Sequence, residues 1–398
     1  MSNTIGIERI FSPESTLRHI NIYIDDILIS EEDVVSIDFE NTFDVLSIIG
    51  KIIIKDSINI YALIDLNQSS KIKLDIIDNF GKSIIRYFNI TSINIESWDA
   101  DFRYLRLTFI DPLSFMLSST YISKSFHDTP INAISQIFDY LEVEENILTP
   151  NNLLLLVKDD SLDDGELIDF IVPNDRSVLE FFVYLFRNYG YRFWQTIDSV
   201  IIGRYIFNDL PEKTEMVNGI DTIIKYTNNT ANYQNPFMIY DFRILTNQTL
   251  QIGNKTPSQF NFNSFDGKKF DITNIKLSDF YDGFELGNQD LSGMEFTIGE
   301  KYTNTTSPSI YNQLLTIEDT YFKNTQIEIV VRGNFTVYPL GHLVEVDLKG
   351  TPINIESDIS GDITFSGLYF VYRSQDKIIG DKHISKLVLI RMNNNNIE

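Results

Sequence analysis

Catalysis by side chains needs a nucleophile, a base or a bound metal, and the residues able to supply them are few and scattered here. The chain has four histidines, His19, His127, His342 and His383, and no cysteine. No two histidines stand four apart, as a helix-borne metal pair requires, and none opens a His-Glu-x-x-His run. Without cysteine, thiolate zinc sites, thiol nucleophiles and disulfides are excluded. There is no Gly-x-Ser-x-Gly elbow and no Gly-x-x-x-x-Gly-Lys-Ser/Thr phosphate loop. His342 falls beside Leu343 at a strand, where packing explains it as well as chemistry does.

Carboxylates are the abundant resource, 56 against 32 basic residues. The densest run is "DDSLDDGELIDF", residues 159–170. A calcium loop places oxygens at fixed offsets around a central glycine. With Gly165 in that role, Asp160 and Asp164 fit, but the third and twelfth positions are Leu162 and Ile171, which carry no oxygen to give. The run therefore reads as a solvated loop. "DFYDGFELGNQDLSG", residues 279–293, is similarly acidic and has no such register. A glycosidase needs only two carboxylates across a cleft. Glu345 and Asp347 share a strand face with Leu343, which fits the wet side of a sheet better than a catalytic pair. Trp194, in "YRFWQ" with Tyr191 and Phe193, shares a strand face with Arg192. Core packing and a partner interface are both open to it.

The formal net charge is −24, which disfavours a protein that neutralises nucleic-acid phosphates. It fits an acidic surface, or a channel through which nucleic acid slides without adhering. With 29 Phe and 20 Tyr the chain can build large cores, and its length of 398 residues allows two to four domains. The start, "MSNTIGIERIF", lacks the basic and apolar parts of a signal peptide, and apolar runs such as "NLLLLV" are too short to span a bilayer. The expectation is a protein made in a cytoplasm and working outside membranes.

The elements that must position these residues are mostly strands. "VVSIDF" puts Val35, Ile37 and Phe39 on one face, and "FRYLRLTFI" does the same for Arg103, Leu105, Leu107 and Phe109. "KIKLDIIDNFGKSIIRYFNI" reads as a hairpin turning at Asn79-Phe80-Gly81. The character changes near 116. Thr129 caps a helix with Pro130 at its first position and Ile131, Ile134, Ile137, Phe138 and Leu141 on one face. Ser177 and Glu180 form a capping box for a second helix with Leu179, Phe182, Val183 and Phe186 as its apolar face and Gly190 as its stop. A hairpin turning at Ile197-Asp198 follows. Residues 310–322 fit a short helix, and strands fill the chain from 326 on.

This gives an α+β chain, mainly β. Its expected parts are a first β-barrel at 1–115, an α/β domain at 116–207, a second barrel from 208–245 and 310–395, and an irregular insertion at 246–309. No short-period repeat is present, only a coarse duplication of β units.

Four segments in order carry a family resemblance. "FHDTPINAISQIFDYLEVEENILTPN" ends in Leu148-Thr149-Pro150, "VPNDRSVLEFFVYLFRNYGYRFWQ" ends in Trp194-Gln195, and "YQNPFMIYDFRILTN" holds Tyr240, Asp241 and Phe242. The fourth is "GNFTVYPLGHLVEVDLKG", with Gly333, Asn334, Phe335, Pro339 and Gly341, followed by Gly367 and Tyr369 in "SGLYFVYRS" and by "KLVLIRM". Together these resemble the baseplate hub protein of T-even-type contractile phages, a family related to the hub half of type VI secretion spike proteins. Two departures stand out: Leu340 separates Pro339 from Gly341, and Gln375 falls where the family carries a histidine.

The resemblance implies two barrels per chain like those of tail-tube proteins, and three chains in a pseudo-sixfold ring. Such a ring joins a sixfold tube to a threefold spike and leaves a channel. It implies no enzyme activity, no catalytic or metal-ligating residues and no cofactor. The implied partners are further copies of the chain, a central spike protein, tail tube or tube-initiator proteins, the tape-measure protein and baseplate wedge components. DNA would pass through the lumen without specific binding, helped by acidic walls. The implied location is the tail baseplate of a virion, assembled in a host cytoplasm, with no membrane insertion. No spike domain follows the last strand, so a separate spike is expected. Two other readings stay open: a tail-associated cell-wall hydrolase with a carboxylate pair, and a receptor- or glycan-binding module.

Overall fold

Alternation with a period of two decides most of the architecture. The computed structural model describes residues 17–43, 45, 47–64, 70–78, 83–99, 101–145, 155–158, 168–171, 175–189, 192–195, 199–203, 215–217, 220–222, 224–228, 237–247, 272–276, 295–299, 325–333, 340–348 and 365–393. The chain is mainly β. Its first stretch contains β1 (Leu17–Ile24), β2 (Ile27–Ile29), β3 (Val34–Thr42), β4 (Ile49–Lys55), the short helix α1 (Ile60–Leu63), β5 (Lys71–Asp78), β6 (Ser83–Trp98) and β7 (Arg103–Ile110). β1 turns into β2 through Asp25 and Asp26, with φ of 47° and 68°. Positive φ at both central residues is what a tight two-residue hairpin needs.

Along these strands every second residue is apolar and buried: Ile20, Ile22 and Ile24, then Ile72, Leu74 and Ile76, then Leu105, Leu107 and Phe109. They meet in one apolar core. Full burial of side chains this size is worth roughly 2 kcal/mol each. Val35 departs from its expected face and is 42 % exposed. The pairing of β3 with β4 shifts between Val34 and Ser36, and this bulge turns Val35 outward while Ile37 and Phe39 stay buried.

A helix crosses the boundary expected at 115/116. α2 (Pro112–Ser119) is capped by Asp111, which accepts the Ser114 amide. Asp111-Pro112 is the same cap-then-proline signal as Thr129-Pro130. Next come β8 (Ser125–Asp128), α3 (Pro130–Glu145), β9 (Leu155–Lys158), β10 (Ile168–Ile171), α4 (Val178–Tyr189), β11 (Arg192–Gln195) and β12 (Ser199–Gly203). Thr129 caps α3, accepting the Asn132 amide at 3.3 Å. The capping box of α4 is present in both directions, Ser177 amide to Glu180 at 3.0 Å and Glu180 amide to Ser177 at 3.3 Å. α4 buries Val178, Phe181 and Phe182 and leaves Val183 exposed, so its apolar face is rotated from the expected one. The hairpin of β11 and β12 forms as expected, with β9 added parallel to β12. No helix among the described residues is long and apolar enough to cross a membrane.

The last stretch contains the pair β13 (Glu215–Val217) and β14 (Ile220–Thr222), then β15 (Ile224–Thr227), β16 (Ile239–Asn247), the pair β17 (Ile272–Lys276) and β18 (Glu295–Gly299), β19 (Thr325–Arg332), β20 (Leu343–Asp347), β21 (Gly367–Ile379) and β22 (Lys382–Asn393). The helix expected at 310–322 lies outside the described residues. Ile327, Ile329 and Val331, then Val344 and Val346, then Leu387 and Leu389, recur at every second position and meet in a second apolar core.

The two stretches share one 13-stranded sheet, in the order β16-β19-β22-β21-β3-β4-β7-β6-β5-β1-β2, with β20 on β21 and β15 on β20. Every ladder in it is antiparallel except β15 with β20. β21 makes the join. Its residues 367–370 pair with β20, and its residues 373–378 pair with β3. The change of partner falls at Tyr372, where the ladder to β22 shifts and the carbonyl accepts the Phe43 amide at 2.8 Å.

Candidate functional site

The residues that carry a role converge where the two cores and β11 meet. Each stretch sends a side chain into the other's core: Phe43, just past β3, packs in the second core, and Ile378 of β21 packs in the first. β11 completes the join. Neighbours on a strand point to opposite faces, and β11 uses this at Trp194-Gln195. Trp194 is 1 % exposed and enters the second core, its ring centroid 4.8 Å from that of Phe43, which in turn meets Phe370 edge-on at 4.6 Å. Gln195, fully buried, faces the first stretch.

With its amide oriented to match its neighbours, Gln195 donates to Asp111 at 3.1 Å and accepts from Arg86 of β6 at 2.9 Å. Its backbone carbonyl accepts from the Asn41 side chain of β3. Asp111 also accepts the Ile48 and Ser114 amides, each at 2.9 Å. Burial pushes the Asp111 carboxyl up from its ordinary range, against the pull of those donors and of the Arg86 guanidinium. One carboxyl group thus ties the residue before β4, α2 and β11 together and, through Gln195, reaches Arg86 of β6; removing any of its partners strands a buried polar group.

A second buried polar cluster lies on β21 and β22. Asp376 accepts from Ser374 at 3.1 Å and from Ser385 at 2.5 Å, and it pairs with His383 at 2.9 Å. A histidine, a carboxylate and serines invite comparison with a hydrolase triad. There the serine donates to the imidazole, whereas here both hydroxyls are aimed at the carboxylate, and all four residues are buried. This geometry is not that of a triad. The cluster lies beside Ile378 of the first core and Leu387 of the second, so polar side chains occupy the seam between the two cores.

The carboxylates Glu345 and Asp347 sit on β20 and face Lys225 of β15, which bonds Glu345 and lies 3.7 Å from Asp347. Their shared partner is a lysine of the parallel ladder, and the hydrogen bond that Lys225 donates to Glu345 is the first cause that raises its pKa. Among the described residues no group of three or more His, Asp or Glu is placed to hold a metal ion. The acidic run at 279–293 lies outside the described residues, as do residues 159–167 of the run at 159–170.

The turn and strand signature divides. Gly341 has a φ of 80°, and a Cβ there would fall into the Trp194 indole. Gly333 donates its amide to the His383 carbonyl at 2.9 Å, and a Cβ would strike the His383 ring. Gly367 opens β21, and Tyr369 is fully buried with its hydroxyl donating to the Phe365 carbonyl at 2.8 Å. Asn334 and Pro339 lie outside the described residues. Trp194, for which an interface remained open, is a core residue within the chain; the exposed tryptophan is Trp98, at 70 %. Asn41, Arg86, Asp111, Gln195, Asp376 and His383 were not legible as a site. Only Asp111 carried a local signal, its position before Pro112.

No protein-family model and no curated protein matches the chain. Solved structures do. The tail protein of Neisseria meningitidis MC58 superposes with a TM-score of 0.56 at 10 % identity, covering 94 % of this chain and 96 % of that one. The 43 kDa tail protein of prophage MuSo2 from Shewanella oneidensis gives 0.56 at 12 % identity, covering 94 % and 98 %. The chain has the fold of these two tail proteins. The likeness covers nearly the whole of all three chains.

Proposed function

We propose that the chain is a structural, non-enzymatic hub of a baseplate or tail tip: three copies form a pseudo-sixfold ring that joins a sixfold tail tube to a threefold central spike. The observation that carries this reading is β21. One strand serves two β stretches, each with its own core, which supports reading the chain as two tube-like units side by side. Three such chains offer six units to a sixfold tube and three-fold symmetry to a spike, and a ring closes only when rotation and copy number agree. The fold likeness to two tail proteins supports the reading. On it, the stretches 1–115, and 208–245 with 310–395, are tube-like barrels, and 116–207 and 246–309 are an α/β unit and an insertion.

The partners that follow are further copies of the chain, a central spike protein, the tube or its initiator, and the tape-measure and wedge components. The net charge of −24 lets nucleic acid pass the lumen without adhering. The place of action is the virion tail, after assembly in a host cytoplasm. Native mass spectrometry and negative-stain imaging of the purified chain, alone and with a spike protein, test the proposal. The expected result is three copies in a ring with six similar lobes. A stable monomer that forms no ring and binds no tail protein would overturn it.

A further inference from the structure

Two long runs of the shared sheet are laddered on one side only among the described residues, one on each β stretch; the other one-sided strands, β2 and β15, are 3 and 4 residues long. β6 is 16 residues long, but β5 covers only its first part, from Ser83 opposite Ile77 to Asn89 opposite Lys71. Residues 91–98 are laddered to β7 alone among the described residues. β16, at one end of the strand order, is laddered to β19 alone among the described residues. At about 3.3 Å per residue the two edges are similar in length, about 26 and about 30 Å.

Their side chains differ in kind. The β6 edge and the turn after it expose Ile95 and Trp98, and carry Glu96, Asp99 and Asp101. Glu96 bonds Arg106, and Asp99 accepts the Asp101 and Phe102 amides. The β16 edge exposes Ile244 and Leu245 beside Arg243, whose side chain is 67 % exposed and 3.8 Å from Asp241. In a chain of net charge −24, an exposed arginine among exposed aliphatic residues is the complement of an acidic edge that bears a tryptophan. Long edges with exposed apolar residues are hazards for a protein that leaves them open. Both strands also carry bulges, at Ile90/Ser92 and Ile95/Ser97 in β6 and at Ile239/Asp241 and Ile244/Thr246 in β16. Bulges add the bend and twist that a closed sheet needs.

We infer that the β16 edge of one copy pairs with residues 91–98 of the next copy. The inference rests on the ring proposed above and says which surfaces close it. Each copy contributes one long edge of each kind, so the contact is heterologous and three copies leave neither long edge open. The second stretch of one copy then meets the first stretch of the next, as β21 meets β3 within a chain.

The absence of cysteine allows a direct test. Ile95→Cys and Leu245→Cys are made singly and together, and each sample is treated with a short bis-maleimide while its native mass is measured. The double variant should give a covalent ladder that stops at three chains. A mixture of the two single variants should give a cross-linked pair, and each single variant alone should give none. A second pair, Ser97→Cys with Arg243→Cys, uses exposed polar positions and guards against loss of folding. Arg243→Glu should weaken ring formation by about tenfold. A native trimer with no mixed cross-link in either pair overturns the edge assignment and leaves the ring standing. Single variants that cross-link to themselves overturn it in favour of a two-fold contact. A monomer throughout removes both the assignment and the ring.

Discussion

Gly341 lies against the indole of Trp194 so closely that a methyl group at 341 would fall within the ring. Two costs therefore meet at this position. Its φ of 80° is strained for any residue with a Cβ, and the space for that Cβ is taken. Gly341→Ala should destabilise the chain by about 2–4 kcal/mol, read as a lower urea midpoint. Gly380 is the control. Its φ is also positive, 56°, but nothing lies within 4 Å of a Cβ there. Gly380→Ala should show the backbone cost alone, about 1 kcal/mol. Equal losses in the two variants would refute the packing account.

The two tryptophans should be separable by fluorescence. Trp194 is enclosed by Phe43, Phe370 and the Gly341 backbone, while Trp98 stands 70 % exposed with the Arg103 guanidinium 5.7 Å from its ring. Trp98→Phe should leave a blue-shifted emission that resists acrylamide. Trp194→Phe should leave a red-shifted emission that acrylamide quenches, and it should also lower stability, since the smaller ring leaves a void in the core. In the assembled ring the Trp98 emission should shift to the blue as the next copy covers the edge. An unchanged Trp98 signal on assembly would count against the proposed contact.

Acid should act on two aspartates with opposite sign. The Asp111 carboxyl is pushed up by burial. A carboxyl whose folded value lies above its unfolded one contributes stability that is full below the unfolded value and is lost as pH rises through the folded one. Asp128 is pulled down, first by the Asn132 side chain and then by the Thr129 amide. Its contribution is present above the ordinary carboxylate range and is lost as pH falls through its lowered value. Between pH 7 and pH 3, the advantage of the natural chain over Asp128→Asn should shrink, and its advantage over Asp111→Asn should widen. Urea midpoints across that range measure both, and parallel lines for the two variants would refute the assignment.

Much of the local structure is written in the sequence, because strands and helix ends depend on near neighbours. The alternation of Leu105, Leu107 and Phe109, the cap at Thr129-Pro130 and the box at Ser177 and Glu180 all need only a few residues to express themselves. Asp111-Pro112 belongs with them, and the helix it starts was legible by the same rule. Val35 was not legible, since the bulge that turns it out arises in the pairing of β3 with β4.

What only the tertiary structure decided is how distant segments meet. Nothing near Phe39 in the chain says that it will stand opposite Asp376, or that Phe43 will leave its own stretch for the core around Trp194. Gln195 reads as an ordinary strand residue until Asn41, Arg86 and Asp111 surround it. The physical reason is that period and capping are set by backbone hydrogen bonds among neighbours. The join between the two stretches is set instead by complementary surfaces and by the need to satisfy every polar group buried between them.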